Sequence, residues 1–334
     1  MKNLLVTGAL GFIGSNFVNY MISKNLNISK IVVLDKKDYC SSLSNLVKHP
    51  KIKLVIGDIR NSELVSYILE NFQVDTVVHF AANSHVDNSF LNSVSFSENN
   101  TVGTHILLEC CKQHQEKTSL ISKFIHISTD EVYGEVDDGD MKFENSVLDP
   151  TNPYAASKAG AEFIAKSYFY SYKLPIIITR GNNVYGPQQY PEKIVPKFIC
   201  QLLNNKKMTI HGNGQTKRNF IYVDDVCTAI ETIIEKGEIG NIYNISSSYD
   251  NEYTVIDIAK MLTSLIYGDN EPLDQHITYV DDRKFNDYRY CISSDRLSEL
   301  GWFPKFTNIK ENLIKLINWY KNNTKSYFPN FSLV

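Results

Sequence analysis

Several residue types that mark specialised protein classes are scarce in this chain. Its 334 residues include 6 cysteines and 2 tryptophans, and no cysteine pair has the C-x-x-C spacing of a zinc or redox site. A disulfide framework and a bound metal are therefore not expected. Sparse cysteines without a framework are typical of reduced thiols in a cytoplasmic protein.

Charge of one sign and long apolar runs are also lacking. The 34 basic residues nearly balance the 37 acidic ones, and the formal net charge is -3 without a long basic run. Neither nucleic acid nor an anionic membrane is therefore an expected partner. The apolar stretch that ends at Gly8 is shorter than a secretory signal, and no run approaches the roughly 20 apolar residues of a membrane span. We expect a soluble, unprocessed, cytoplasmic protein.

What the chain does contain is a regular alternation of short β-branched runs with helical stretches. With 43% hydrophobic residues it can bury a large core. Parallel strands joined by helices form a sheet that is covered on both faces. The pattern therefore predicts an α/β protein with a doubly wound parallel (Rossmann) sheet. The predicted strands of this sheet are 4–7, 31–35, 54–56, 76–80, 124–128 and 176–179.

The second half of the chain predicts a smaller lobe that is interleaved with the sheet. After Arg180 the pattern loosens into segments punctuated by Gly and Pro, which are typical of loops around a ligand. We assign 1–180 to a nucleotide-binding domain, to which 219–245 return. The remaining segments, 181–218 and 246–334, are assigned to a substrate-binding lobe.

A glycine-rich turn follows the first predicted strand. Its glycines, Gly8, Gly11 and Gly14, permit a tight turn and a close approach of the backbone to a pyrophosphate, and Phe12 and Ile13 open the helix that follows. Asp35 ends the second strand, where a carboxylate can accept hydrogen bonds from an adenosine ribose. The motif therefore predicts a dinucleotide site that prefers NAD to NADP.

Two neighbouring features leave alternatives open in this site. Lys36 and Lys37 follow Asp35, and a cation there could hold the additional phosphate of NADP. Asp58 and Ile59 close the third strand, where they are plausible contacts of the adenine. Asp58 could equally cap the next helix.

Tyr154 and Lys158 lie four residues apart on a helix that Pro153 should open, so that they share one face. A free phenol has a pKa near ~10, and a nearby ammonium together with a nicotinamide charge could bring it close to neutrality. Tyr154 is then a candidate base.

Ser128, Thr129, Asp130 and Glu131 stand at the end of the fifth predicted strand. Ligands of open α/β sheets bind beyond the carboxyl ends of the strands. Consecutive strand residues point to opposite faces, so both acids can serve one substrate only if the strand has already ended. Two close carboxylates tend to split into a proton donor and a base. Their alternative interpretation is a solvated loop pair or a helix cap.

The chain resembles the extended short-chain dehydrogenase/reductases and, within them, the nucleotide-sugar 4,6-dehydratases. The resemblance covers nearly the whole length, and Asp130-Glu131 is its dehydratase mark. The segments that carry it are 7–14, 79–87, 100–104, 128–134, 154–158, 182–187, 191–196 and 218–225.

The resemblance implies a role for each catalytic candidate. Tyr154 would take the proton of the sugar O4 while C4 passes hydride to NAD, with Thr129 and Lys158 in support. Glu131 would then remove the C5 proton, and Asp130 would protonate the departing O6. The reduced cofactor would return hydride to C6, so the product would be a 4-keto-6-deoxy sugar nucleotide.

The resemblance also implies the residues that bind cofactor and substrate. To the cofactor residues named above it adds Ala81, Ala82 and Asn100. The implied substrate-binding residues are Ser84, Asp87, Thr129, Asn183, Lys193, Ile194, Arg218, Arg283 and Asn286.

Several alternatives remain at the level of function. UDP-glucose and dTDP-glucose are both possible substrates, and similarity to plant rhamnose synthases favours UDP-glucose. A 4-epimerase or decarboxylase of the same superfamily would need the same glycines, Tyr154 and Lys158. A non-enzymatic NAD-binding scaffold is the less expected interpretation.

Family resemblance implies a homodimer through helices around 94–110 and 153–172.

Overall fold

The computed structural model describes residues 1–24 and 27–327. The strands are β1 (Asn3–Thr7), β2 (Lys30–Asp35), β3 (Ile52–Ile56), β4 (Thr76–His79), β5 (Lys123–Thr129), β6 (Ile176–Gly181), β7 (Asn183–Tyr185), β8 (Met208–His211), β9 (Lys217–Tyr222), β10 (Ile242–Ile245), β11 (Glu252–Thr254) and β12 (Ile277–Val280). The helices are α1 (Phe12–Ser23), α2 (Ser62–Asn71), α3 (Val86–Leu91), α4 (Ser93–Phe96), α5 (Gly103–Thr118), α6 (Pro153–Tyr172), α7 (Ile194–Leu203), α8 (Val223–Lys236), α9 (Val255–Tyr267), α10 (Asp295–Glu299) and α11 (Ile309–Tyr327). A π-helical segment, Ser97–Val102, joins α4 to α5.

Seven strands of the described chain form one parallel sheet, in the order β10-β6-β5-β4-β1-β2-β3. From β1 the chain adds β2 and β3 on one side and then returns to add β4, β5, β6 and β10 on the other. The crevice between the carboxyl ends of β1 and β4 is therefore the switch point at which ligands of such sheets bind. The predicted doubly wound fold is confirmed.

The two faces of this sheet bury separate apolar layers. On one face Phe17 and Val18 of α1 and Ile230 of α8 pack against strand residues such as Val6. On the other face α2, α5 and α6 cover the strands. Their apolar side chains there include Val65, Ile68, Leu107, Leu108 and Ala165. The near-continuous apolar strands of the sequence follow from this burial on both faces.

The remaining strands form two small sheets beside the large one. One has the order β11-β9-β7, and the other pairs β12 with β8. Helices α7, α9 and α11 pack on them around a third apolar cluster that contains Phe198, Leu262 and Leu316. This arrangement makes a smaller lobe at the carboxyl edge of the large sheet.

The predicted domain boundaries stay a prediction, although the elements can be assigned to sheets. Of the segment 219–245, β10 joins the large sheet and α8 packs against its face, whereas β9 belongs to a small sheet. The end of the predicted lobe, 328–334, lies outside the described residues.

Candidate active site

The glycine-rich turn forms the floor of a cavity of about 780 Å³. Gly8 has φ +70, and a Cβ atom on it would lie 2.6 Å from the backbone nitrogen of Ala81. A Cβ atom on Gly14 would lie 2.6 Å from the carbonyl oxygen of Gly8. Gly11 caps α1 without a side-chain hydrogen bond, and the first turn of α1 carries no acidic residue. The free N–H groups of this helix end therefore favour an anion such as a phosphate.

Asp35 lies where β2 ends, and its carboxylate is held against the glycine turn. Its Oδ2 accepts a hydrogen bond from Leu10 N at 2.9 Å, and its Oδ1 accepts one from Lys37 N at 2.7 Å. The ammonium of Lys36 lies 2.9 Å from the carboxylate of Asp38. Because Asp38 already neutralises this cation, Lys36 is less suited to hold an additional phosphate than its position suggests.

Most of the predicted cofactor residues line the same cavity. They are Gly8, Gly11, Phe12, Ile13, Gly14, Asp35, Asp58, Ile59, Ala81, Ala82, Tyr154 and Lys158. Asp58 is not a helix cap, because Asn61 caps α2 and the guanidinium of Arg60 donates to Asp58.

The placement of Asn100 departs from the prediction. It does not line the cavity of the described chain; it lies behind it. Its Oδ1 accepts from Asn83 N at 2.7 Å, and its Nδ2 donates to the hydroxyl of Ser157 at 2.9 Å. Burial of an amide requires such partners, and Asn100 thereby ties the loop after β4 to α6.

The two predicted acids follow β5 immediately. The strand ends at Thr129, and Asp130–Tyr133 forms a 3₁₀ turn that the Thr129 side chain caps. The strand has therefore ended before the acids, which is the condition under which both can serve one substrate. The hydroxyl of Thr129 also donates to Asp130 Oδ1 at 3.2 Å.

The surroundings of the two acids differ. Asp130 is 2% exposed, and its Oδ2 accepts a hydrogen bond from Asn182 Nδ2 at 3.0 Å. Burial, together with the charge of Glu131, raises the pKa of Asp130 to about 7. Glu131 lines the cavity, and its Oε2 accepts from Asn152 Nδ2 at 3.1 Å. Asp130 itself lies just behind the cavity wall, which its partners Thr129 and Asn182 help to form.

Helix α6 carries the predicted Tyr and Lys into the cavity. Pro153 is its first residue, and the Oδ1 of Asn152 caps it by accepting from Ala155 N at 2.9 Å. Lys158 is buried and donates from Nζ to the carbonyl of Ile127 at 2.7 Å. Burial lowers the pKa of Lys158 to about 8.

The ammonium of Lys158 alone does not bring the pKa of Tyr154 toward neutrality. Burial raises it above its ordinary value, and the charges of Glu131 and Asp130 raise it further, whereas a hydrogen bond with Thr129 lowers it. The charge of Lys158 does not offset these effects. Ionisation of this phenol therefore depends on a further positive charge in the cavity.

Two buried hydroxyls at the inner end of the cavity have no hydrogen-bond partner among the described residues. They belong to Ser128 and Thr179, and both residues line the cavity. Because buried polar groups are almost always hydrogen-bonded, these hydroxyls are suited to meet polar atoms of a ligand.

The predicted substrate residues line the outer part of the same cavity. They are Ser84, Asp87, Thr129, Asn183, Lys193, Ile194, Arg218, Arg283 and Asn286. Arg283 Nε lies 2.7 Å from Asp87 Oδ1, and the guanidinium of Arg218 stacks at 4.5 Å on the ring of Tyr290. Three cationic side chains at one mouth suit an anionic ligand such as a diphosphate.

Some cavity residues that contact this machinery were missed from the sequence. Among them are Asn152, Asn182 and Tyr290. Asn152 directly before Pro153 is a signal for a helix cap, although nothing local indicates its contact with Glu131. Asn182 and Tyr290 come from distant elements, and no local pattern identifies them.

Within 1–24 and 27–327, no group of three or more His, Cys, Asp or Glu side chains is placed to hold a metal ion. None of the helices described is long and apolar enough to cross a membrane.

Comparison with known proteins identifies the family. Residues 5–315 match the family model described as GDP-mannose 4,6 dehydratase. The chain belongs to this family.

Relatives of this dehydratase family member carry two kinds of name. The dTDP-D-glucose 4,6-dehydratase of Dictyostelium discoideum is 45% identical over 100% of this chain and 84% of its own length. A trifunctional enzyme of Arabidopsis thaliana is 48% identical over 96% of this chain, and the match covers 48% of that relative. Its name combines UDP-glucose 4,6-dehydratase, 3,5-epimerase and reductase.

Solved structures share the fold of this family member. The dTDP-glucose 4,6-dehydratase of Streptomyces venezuelae, with NAD and TYD bound, has a TM-score of 0.91 at 36% identity and covers 98% of this chain and 99% of its own. The UDP-glucose 4-epimerase of Thermotoga maritima has a TM-score of 0.86 at 28% identity, with 96% and 99% covered. The fold alone therefore does not distinguish dehydration from epimerisation, and the site must do so.

Proposed function

We propose that this chain is an NAD-dependent lyase that converts UDP-glucose or dTDP-glucose to the 4-keto-6-deoxy sugar nucleotide and water. The observation that carries the proposal is the acid pair. Asp130 and Glu131 begin immediately after β5, beside the cavity that Tyr154 and Lys158 line. An epimerase needs the Tyr and Lys but has no use for an additional acid and base.

The cavity fits a dinucleotide at its inner end. Its glycines leave room where a Cβ atom would collide with backbone, and Asp35 closes the adenosine side. The residues that would hold NAD are those of the glycine turn together with Asp35, Asp58, Ile59, Ala81, Ala82, Tyr154 and Lys158. When bound, NAD would accept hydride from C4 and return it at C6. Its positive charge would also favour ionisation of the Tyr154 phenol.

The first chemical task of the chain is to take a proton from O4. Tyr154 lines the cavity and is the proposed acceptor, and the hydroxyl of Thr129 can hydrogen-bond the same oxygen. Lys158 contributes an ammonium held on the carbonyl of Ile127. Loss of this proton and of hydride leaves a ketone at C4, which acidifies the C5–H bond.

The second task is the removal of water. Glu131 faces the cavity and takes the C5 proton, while Asp130, whose pKa of about 7 keeps a substantial protonated fraction near neutrality, donates a proton to the departing O6. Glu131 gains one proton and Asp130 loses one, so the elimination is balanced within the pair. Hydride would then return to C6 of the resulting C5–C6 double bond, and the proton held by Glu131 would return to C5.

The outer part of the cavity is the proposed site of the nucleoside diphosphate. Lys193, Arg218 and Arg283 line it and supply positive charge, together with Asn183 and Asn286. Ser84, Asp87 and Ile194 complete this wall. A guanidinium can donate two hydrogen bonds to one phosphate, and a lysine ammonium supplies a compact positive charge. Together they suit a diphosphate.

Mass spectrometry of incubations with UDP-glucose and dTDP-glucose tests the proposal. We expect a product that has lost one water and retains its nucleotide. A product of unchanged mass would instead indicate an epimerase. A parallel incubation with a uronic acid nucleotide tests for a decarboxylase, which would release CO2 from it. Well-folded protein with bound NAD and no turnover of any of these would indicate a binding scaffold.

The same incubations address the choice of nucleotide. Uracil and thymine differ by one methyl group, which a pocket discriminates by only ~1–3 kcal/mol. Relatives of both names match this chain at similar identity. We propose UDP-glucose as the preferred substrate, with the product entering rhamnose biosynthesis, and a higher kcat/KM for dTDP-glucose would reverse that choice.

The pH dependence of kcat should show a fall as the pH rises through about 7. Asp130 must carry a proton to donate it, and burial places its pKa at about 7. The Asn182→Ala substitution removes a hydrogen bond that favours the ionised carboxylate, so this limb of the profile should move to higher pH. Steady-state kcat measured across the pH range checks the shift. A limb at the same pH in both proteins would argue against Asp130 as the proton donor.

We further propose a cytoplasmic homodimer. Val94, Phe163 and Tyr170 are 66%, 59% and 65% exposed on α4 and α6, which supports an interface at the predicted helices. Light scattering after size-exclusion chromatography tests this, and a monomeric mass at micromolar concentration would contradict it.

A further inference from the structure

Asn152 uses both ends of its side-chain amide. Its Oδ1 accepts a hydrogen bond from Ala155 N at 2.9 Å and thereby caps α6. Its Nδ2 donates to Glu131 Oε2 at 3.1 Å, from a side chain that is buried and lines the cavity. Capping requires only an acceptor, and Ser or Asp would serve as well as Asn. The donor end of this amide is therefore available for a task that the cap does not need.

We propose that Asn152 is a positioning residue that holds Glu131 as the base for C5 and fixes it relative to Tyr154. This inference rests on the proposed function and deepens it. The hydrogen bond occupies Oε2, so that Oε1 is the oxygen turned to the substrate. The same Asn152 side chain also caps the helix that carries Tyr154. It therefore fixes the position of the Glu131 carboxylate, which acts at C5, relative to the Tyr154 phenol, which acts at O4.

The ionisable groups around Glu131 make the hydrogen bond from Asn152 Nδ2 important. The groups whose charge interacts with that of Glu131 are Asp130 on its own turn, Tyr154 on α6 and Tyr290 on the loop before α10. The negative charge of Glu131 raises the pKa of each of them. Arg218 acts on Asp130 and Tyr290. A neutral N–H donor favours a carboxylate without neutralising it, which suits a base that must remain reactive.

The Asn152→Ser substitution separates the two tasks. A serine hydroxyl can cap α6, but this shorter side chain has no second polar group that reaches Glu131. In the full-length protein with NAD, kcat should fall roughly 10- to 100-fold, because the base is no longer held in place. KM should stay within about 2-fold, since no substrate contact is removed. The isotope effect on kcat with substrate deuterated at C5 should increase.

The isotope effect at C5 provides a readout that loss of a cap alone would not move, because it reports only the step in which Glu131 takes the C5 proton. Asn152→Asp also keeps the cap but places a negative charge beside Glu131 instead of a donor, so its kcat should fall further and its isotope effect should also increase. Thermal midpoints of both variants should stay close to that of the unaltered protein.

Asn61→Ser is the matched control. Asn61 caps α2 by accepting from Leu64 N at 3.0 Å, away from the acid pair. Asn61→Ser should leave kcat, KM and the isotope effect unchanged. Unaltered kcat and an unaltered isotope effect in Asn152→Ser would overturn the inference, as would a rise in KM alone, which indicates a substrate contact. If the unaltered protein is folded but inactive, both the proposed function and this inference are contradicted.

Discussion

Water loss should stop in a protein that carries Asp130→Asn and Glu131→Gln together, while oxidation at C4 continues at a reduced rate. The two amides keep the shape of the acids but can neither take the C5 proton nor protonate O6. General acid and base catalysis contribute about 10²- to 10⁴-fold each, so the release of dehydrated product should fall by at least about 10⁴-fold. Tyr154 and Lys158 remain in place on α6, so the step at C4 retains its own groups.

Two measurements on one incubation check this result. Absorbance of reduced nicotinamide after mixing with UDP-glucose reports oxidation, and mass spectrometry reports dehydration. The control is Asp138→Asn, which removes a carboxylate that is 59% exposed and pairs with Lys217 outside the cavity. That variant should dehydrate at the rate of the unaltered protein. Undiminished dehydration by the double variant would defeat the roles assigned to the acid pair.

The Glu162→Gln substitution should cost about 3–5 kcal/mol of folding stability, because it leaves a buried guanidinium without its counterion. Arg180 and Glu162 have side chains that are 1% and 0% exposed, and Arg180 Nη2 lies 2.6 Å from Glu162 Oε2. The same guanidinium donates to the hydroxyl of Tyr133 at 2.7 Å, on the turn that carries the acid pair. The free energy of unfolding in urea and the thermal midpoint measure the loss.

The double replacement Arg180→Met with Glu162→Leu is the control for this prediction. Exchanging both partners of a buried ion pair for apolar side chains leaves no uncompensated charge, so it should cost less than Glu162→Gln alone. A loss below about 1 kcal/mol in Glu162→Gln would contradict the argument, since a bare buried charge is far more expensive. The Glu162 carboxylate also raises the pKa of Lys158, so its removal should lower that pKa further below about 8.

Local patterns in the sequence were sufficient for the scaffold of the site. The predicted strands of the large sheet correspond to β1 to β6, and the helix expected to begin at Pro153 does so. These features depend on neighbours within a few residues: β-branched runs, a proline at the first helical position and glycines at a tight turn. Such interactions are readable from adjacent positions alone.

The sheet topology also made the convergence of distant motifs predictable. The carboxyl ends of parallel strands meet at one edge, so the glycine turn after β1 and the acids after β5 had to face the same side. The glycine turn and Glu131 both line the cavity, and Asp130 lies just behind its wall. Asn100 also lies behind the wall, where its amide hydrogen-bonds with Asn83 and Ser157.

Short-range spacing was enough to predict the α/β sheet, the dinucleotide turn and the catalytic candidates. How these candidates are tuned depends on tertiary packing. The hydrogen bonds of Asn152 to Glu131 and of Asn182 to Asp130 join residues 21 and 52 positions apart. Contacts of that kind, and the burial that moves the pKa of Asp130, depend on how separate elements pack in space, and no local pattern records that packing.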